Sequence, residues 1–181
     1  MANITIIGMR GAGKSNVSRR LSVLIKRPVF ATDTMVEYEA LGRCVSDLVA
    51  AQGWPAFRER ELLVLQKILH LRGIIIDAGG GLIVDLVDGA EVFSERKAGL
   101  LRAAGPVVWL RGDVERLVAK VETKANRPAL VDPALLLQAM HARQPFYERA
   151  ATHIIDIDGR KREDVACQIL TMLGLEPAGS P

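Results

Sequence analysis

Aromatic side chains make up only 4% of this chain, and cysteine occurs twice, at Cys44 and Cys167. Without C-x-x-C spacing those thiols indicate neither a disulfide framework nor a thiolate zinc site, and a reducing compartment is the natural setting. The three histidines, His70, His141 and His153, are scattered without ligand spacing and read as structural. Charge of one sign is also scarce: 24 basic and 21 acidic residues leave a net charge of +3, spread along the chain. That balance lacks the concentrated basic face of a duplex-DNA binder and suits small anionic molecules. Long apolar runs are missing, so no transmembrane helix is expected. The N-terminus shows no basic leader with an apolar stretch behind it, and internal repeats and low-complexity segments are absent as well. What remains is a single cytoplasmic domain, with neither nucleic acid nor membrane as partner. It is expected to be a monomer. With 181 residues, 49% of them hydrophobic, it can bury a full core unaided.

The chain does possess a glycine loop. Gly8-Met9-Arg10-Gly11-Ala12-Gly13-Lys14-Ser15 follows the apolar run Ile4 to Ile7 and precedes an amphipathic stretch from Asn16 to Ile25. This is G-x-x-x-x-G-K-S in the strand, loop, helix setting that gives the motif its meaning. Backbone N–H groups of such a loop turn inward around phosphate oxygens, and the helix start adds its positive dipole end. Gly11, Ala12, Gly13, Lys14, Ser15 and Asn16 are therefore candidate nucleotide-binding residues. Lys14 is placed to reach the β- and γ-phosphates of a nucleoside triphosphate, and the Ser15 hydroxyl to ligate Mg²⁺.

Short β-branched runs alternate with helical stretches along the whole length, the pattern of an α/β fold with a parallel sheet and helices on both faces. Strands are expected at Ile4 to Ile7, Val29 to Ala31, Ile74 to Asp77, Val107 to Leu110 and His153 to Ile157. Helices are expected at about Ser15 to Ile25, Met35 to Leu41, Val45 to Gln52, Pro55 to His70, Glu95 to Ala104, Asp113 to Glu122, Pro133 to Ala150 and Arg162 to Leu173. Pro145 should bend or end its helix. The segment Leu82 to Phe93, with Asp85, Asp88 and Glu91, is expected as an exposed loop, and residues 176–181 as an unstructured tail.

Ligands of a parallel sheet gather at the carboxyl ends of its strands. After the second strand stands Asp33, able to accept a proton or hydrogen bond from a hydroxyl, or to cap the following helix. After the third come Gly79-Gly80-Gly81, where the backbone must approach something closely or simply turn. Arg127, in a polar stretch between two helices, is either a lid cation over transferring phosphates or a solvated residue. Arg58 and Arg143 are natural forks for a carboxylate, or else helix arginines paired with a glutamate three or four residues away. Asp77 closes an apolar strand, where a carboxylate can hold a magnesium-bound water or only hydrogen-bond the backbone.

Taken in order, GMRGAGKS, Asp33 with Glu37, Phe57-Arg58 with Glu61, the glycine triplet, Arg127-Pro128, and Arg143 with Pro145 and Tyr147 resemble the shikimate kinase family over nearly the whole chain. The resemblance implies a three-layer P-loop kinase fold with a five-stranded parallel sheet of order 2-3-1-4-5. It also implies Mg²⁺-dependent transfer of the ATP γ-phosphoryl group to the 3-hydroxyl of shikimate. Catalysis would fall to Lys14, Asp33 and Arg127, and substrate binding to Asp33, Arg58, Gly79, Gly80, Gly81 and Arg143. Lys120 and Arg160 would lie on the adenine side, and the metal would rest on Ser15; Asp77 as a holder of the metal through water is expected from its place at the strand end and not from the resemblance. Residues 1–175 would form one domain, with a substrate-binding helical region at about 32–62 and a lid at about 121–133. Three positions depart from the pattern: Ala31 stands where the family commonly has a first aspartate, Asn16 where it has a second hydroxyl, and Lys120 where it has an arginine. The loss at Ala31 leaves open a catalytically impaired ligand-binding module. A related small-molecule kinase, such as a gluconate kinase, shares the loop and the fold.

Overall fold

The computed structural model describes residues 1–122 and 133–179. Five strands form one parallel sheet: β1 (Ile4–Ile7), β2 (Val29–Ala31), β3 (Ile75–Asp77), β6 (Val107–Arg111) and β7 (His153–Asp156), in the order β2-β3-β1-β6-β7. Counting only these five, the order is the expected 2-3-1-4-5. All four residues of β1 are buried. Because alternate side chains of a strand point to opposite faces, such a run requires cover on both sides. That cover comes from the helices α1 (Lys14–Ile25), α4 (Glu95–Ala104), α5 (Val114–Glu122), α6 (Pro133–Ala150) and α7 (Arg162–Met172), together with Leu65 and Ile68 of the helix that leads into β3. Ile6, Leu21, Leu65 and Ile75 have no exposed surface in this core. Each such side chain gains about 1.5–3 kcal/mol relative to exposure.

A second, smaller apolar cluster of Val36, Leu48, Phe57 and Val64 joins α2 (Thr32–Glu39) to α3 (Val45–Ile68). α3 is interrupted at Gly53, whose φ of 77° and ψ of 167° lie outside the helical region and suit glycine alone. Pro55 then starts the second half without losing a helical hydrogen bond, so the two helices expected here meet end to end at this break.

Two expectations need correction. The segment after the glycine triplet is not a loop but an antiparallel hairpin, β4 (Val84–Val87) and β5 (Ala90–Phe93), with Val87 paired to Ala90. Its two turn residues, Asp88 and Gly89, have φ of 51° and 79°. Positive φ at both is the geometry that an Asp-Gly pair favours between two strands. α6 spans Pro133–Ala150 as expected, and of the two outcomes open for Pro145 it does not end the helix. Finally, the backbone N–H of Ala178 donates to the Leu24 carbonyl at 2.7 Å, and Leu175 packs on the core, so the start of the expected tail is anchored.

Candidate active site

The glycine loop turns from β1 into α1 at Gly13, which has φ 87° and stands at the helix start without a side-chain cap. No acidic residue occupies the first turn of α1. The amide groups and dipole of this helix end are thus left to an anion. Nζ of Lys14 folds over the loop and donates to the carbonyls of Gly8 at 2.9 Å and Met9 at 3.1 Å. Burial lowers the Lys14 pKa, while Asp77 and then Asp33 pull it back up. Both carboxylates therefore lie within the field of the loop lysine.

Asp33 is the second residue of α2 and not its cap, a position held by Ala31. The Thr32 hydroxyl beside it accepts from the Gly79 amide at 2.8 Å and ties α2 to the glycine triplet. A methyl group at Gly79 would overlap Oδ1 of Asp33 and lie 2.9 Å from its Cγ. At Gly80 it would stand 3.4 Å from the Arg10 amide of the loop, and at Gly81 2.5 Å from Nη1 of Arg58. Close approach by Asp33 and Arg58 requires glycine at the two ends of the triplet, whereas the space at Gly80 is ordinary contact distance. None of the three takes a positive φ. Tyr147 closes the other side by donating its hydroxyl to the Gly80 carbonyl; burial pushes its pKa up to about 12, so it remains a donor at neutral pH.

Arg58 is 5% exposed and makes the local pairing that the sequence offered as one of its two alternatives. Its Nη1 donates to Glu61, three residues on, at 2.8 Å, and Cζ lies 5.1 Å from the Trp54 ring centre. Its Nε is buried without a hydrogen-bond partner and Nη2 is 4.0 Å from Glu91, so donors remain for a ligand. Arg143 comes from α6 and grips the same Glu91 through Nε at 2.7 Å and through Nη2. Behind them lies a buried charge chain. Lys97 has no exposed surface; its Nζ donates to the Val84 carbonyl at 2.7 Å and sits 3.0 Å from Asp85 and 3.7 Å from Glu61. Burial raises the Glu61 pKa against the pull of Arg58 and Lys97.

Asp33, Arg58, the glycines and Arg143 thus converge beside the loop. Lys120 lies in the last turn of α5 and Arg160 is exposed after β7, bonded to Gln168. Arg127, with the segment 123–132, lies outside the described residues. A residue not singled out, Arg162, comes closer to the loop than expected of Arg160: its Nε would be 2.7 Å from a methyl at Gly13, and its Nη1 is buried without a hydrogen-bond partner. Its place at the start of α7, just beyond a strand end, is the signal that could have marked it. Thr32, Lys97 and Glu91 were likewise unmarked, because their roles arise from tertiary contact.

Among the described residues no group of three or more His, Cys, Asp or Glu forms a metal cage. Magnesium in kinases does not need one, being held largely by phosphate oxygens and water. The residues present fit that arrangement: Ser15 is exposed at the helix start, and Asp77, 6% exposed, closes β3 within the field of Lys14.

The sheet order, with the G-x-x-x-x-G-K-S loop between its central strand and α1, defines a P-loop kinase. The family profile described as shikimate kinase matches residues 10–174. A shikimate kinase of Leptospira biflexa is 42% identical over 177 residues, covering 97% of this chain and 98% of that protein. Another, from Pseudomonas syringae pv. syringae, is 32% identical with 98% and 99% covered. The solved shikimate kinase of Acinetobacter baumannii in complex with shikimate superposes with a TM-score of 0.82 at 26% identity, covering 96% of this chain and 93% of that one. The chain belongs to the shikimate kinase family.

Proposed function

We propose that this chain transfers the γ-phosphoryl group of ATP to the 3-hydroxyl of shikimate. The observation that carries the reading is the glycine triplet, which acts as a ruler. Asp33 touches it at Gly79, near the lysine of the phosphate loop, and Arg58 touches it at Gly81. An acceptor lying along the triplet would present a hydroxyl at one end and a carboxylate at the other.

In this reading the loop amides of Gly11 to Asn16 cradle the phosphates, and Lys14 neutralises charge on the transferring group. Asp33 orients the acceptor hydroxyl and takes its proton. Arg58 and Arg143 hold the carboxylate, and Gly79, Gly80 and Gly81 form the floor beneath the ring. Arg127 is assigned to the lid over the phosphates, with Lys120 and Arg160 on the adenine side. Mg²⁺, held by the Ser15 hydroxyl and through water by Asp77, supplies further charge neutralisation when bound. The domain runs over residues 1–175, with the helical region 32–62 receiving the acceptor, and acts as a cytoplasmic monomer. Since phosphoryl transfer asks mainly for positioning and electrostatics, these residues suffice for it.

A coupled ADP-release assay with shikimate, quinate and gluconate as acceptors tests the proposal. Turnover with shikimate, at a higher kcat/KM than with the other two, is expected. Ala31 favours one competing reading, a module that binds its ligands but does not turn over; binding of ATP and shikimate without ADP release would establish it. Preference for gluconate would move the chain to a different acceptor.

A further inference from the structure

The two-arginine fork already holds a carboxylate, and it belongs to the chain itself. Glu91 on β5 receives both Nε and Nη2 of Arg143 and stands 4.0 Å from Nη2 of Arg58. Its hairpin is clamped at the base by several groups, whereas toward the tip Glu91 itself is the tether among the described residues. At the base, Asp85 accepts from Ser94 Oγ at 2.6 Å and Arg96 Nε at 3.1 Å, and lies 3.0 Å from Lys97 Nζ. At the tip, Val87, Asp88, Gly89 and Ala90 are exposed. Glu91 is the residue next to that tip, cross-strand from Leu86, and a two-stranded ribbon outside the main sheet has little stability of its own.

We propose that Glu91 is an internal competitor for the Arg58–Arg143 fork, so that an acceptor is admitted by bringing a carboxylate that displaces it. The inference rests on the fork being the acceptor's carboxylate site. Without Glu91 the Arg143 guanidinium would lack its carboxylate and stand beside Arg58, whose own partner is Glu61; a second cation in this poorly solvated place would be uncompensated, and Glu91 removes that cost in the free protein. An incoming carboxylate replaces one charge-assisted pair by another of the same kind. A neutral polyol has nothing to exchange and meets a closed fork, so Glu91 sets specificity by penalising the wrong ligand. The displaced residue leaves with the hairpin tip, while the Asp85 clamp keeps the base in place. Apparent affinity for the correct acceptor is lowered by the fraction of molecules with the fork open.

The test compares the wild type with Glu91→Gln, Glu91→Ala and Arg143→Ala. Binding of shikimate and of its neutral amide is measured by calorimetry without nucleotide, and hydrogen exchange is followed over residues 84–93. Both Glu91 variants should bind shikimate more tightly, by about tenfold if the fork is open one tenth of the time. Adding shikimate to the wild type should speed exchange in the hairpin, the reverse of ordinary ligand protection. Weaker or unchanged shikimate binding in both Glu91 variants, or a hairpin protected by shikimate, overturns the competitor and makes Glu91 a residue that orients the arginines. If Arg143→Ala leaves shikimate affinity unchanged, the fork is not the carboxylate site and both readings fall. If Arg143→Ala weakens binding and the Glu91 variants do not tighten it, the fork stands and only the competitor fails.

Discussion

Ala31 and Asp77 are partners on neighbouring parallel strands, at the end of β2 and the end of β3. Paired residues of parallel strands direct their side chains to the same face of the sheet. The carboxylate missing at position 31 therefore has a counterpart one strand closer to the phosphate loop, since Asp77 also pairs with Ile6 of β1. This placement explains how the chain can lack the aspartate common in its family and still present acidic groups to Lys14. Asp77→Asn should raise the Mg²⁺ concentration needed for half-maximal activity and weaken Mg²⁺-dependent ATP binding in calorimetry. Ala31→Asp added to that variant should recover part of the loss. If Asp77→Asn folds normally and its magnesium dependence is unchanged, Asp77 is structural.

The glycine triplet yields a steric prediction that separates its two ends. In Gly79→Ala the new methyl displaces Asp33, so kcat should fall, by about a hundredfold if a properly placed base contributes its usual share. In Gly81→Ala it presses on Arg58, and the KM for shikimate should rise more than kcat falls. Steady-state kinetics of both variants decide it; equal effects on the two parameters would deny the triplet its role as a ruler.

Arg58 and Arg143 are expected to differ in what their loss does to the fold. Arg58→Ala leaves Glu61, 1% exposed, without its closest cation, and breaking a buried pair in this way costs about 3–5 kcal/mol. Arg143→Ala frees Glu91, which keeps 29% of its side-chain surface exposed and can be solvated. Thermal unfolding should show a large drop for the first and a small one for the second, while both weaken shikimate binding. Equal melting temperatures would mean that Lys97 alone keeps Glu61 satisfied.

Arg127 is assigned to the transition state, so Arg127→Ala should reduce kcat by about 10³-fold or more, as loss of a phosphate-stabilising arginine does elsewhere. Shikimate affinity measured without nucleotide should stay near normal. Retention of wild-type turnover would remove Arg127 from the catalytic set.

The parallel sheet and the loop were legible because each depends on local pattern: three isoleucines and a threonine, then glycines at fixed spacing, then a 3.6-residue period. Asp33 and Arg58 were legible only as alternatives, since a single residue looks the same whether it caps a helix, pairs with Glu61 or faces a ligand. Their contacts with Gly79 and Gly81 place them beside the glycine triplet, and those contacts join residues 46 and 23 positions apart. The hairpin was overlooked for a different reason. Its acidic residues suggested solvent, although Val87-Asp88-Gly89-Ala90 carries the Asp-Gly turn signal between alternating apolar positions. Asp85 and Glu91 are acidic because they meet Lys97, Arg96, Arg143 and Arg58, cations supplied by three other helices. No local rule contains those partners.

The hairpin base gives the chain a defined acid sensitivity. Burial by itself would raise the Asp85 pKa, but hydrogen bonds from Arg96, Ser94 and Lys97, together with the Lys97 charge, outweigh it and bring the value down to about 2. A carboxylate whose folded value lies below its unfolded one, about 3.9, binds fewer protons when folded. It therefore adds stability above about pH 4, and that contribution disappears as the pH falls toward about 2. Asp85→Asn should remove the contribution, so the stability difference between wild type and variant should be constant near neutrality and shrink between about pH 4 and pH 2. Glu61, with its pKa shifted upward, acts in the opposite sense; being present in both proteins, it cancels from the difference to the extent that its own surroundings are unchanged. Urea unfolding of the two proteins across this range makes the measurement. A difference that stays flat down to pH 2 would show that Asp85 is not held by the Arg96 and Lys97 clamp in solution.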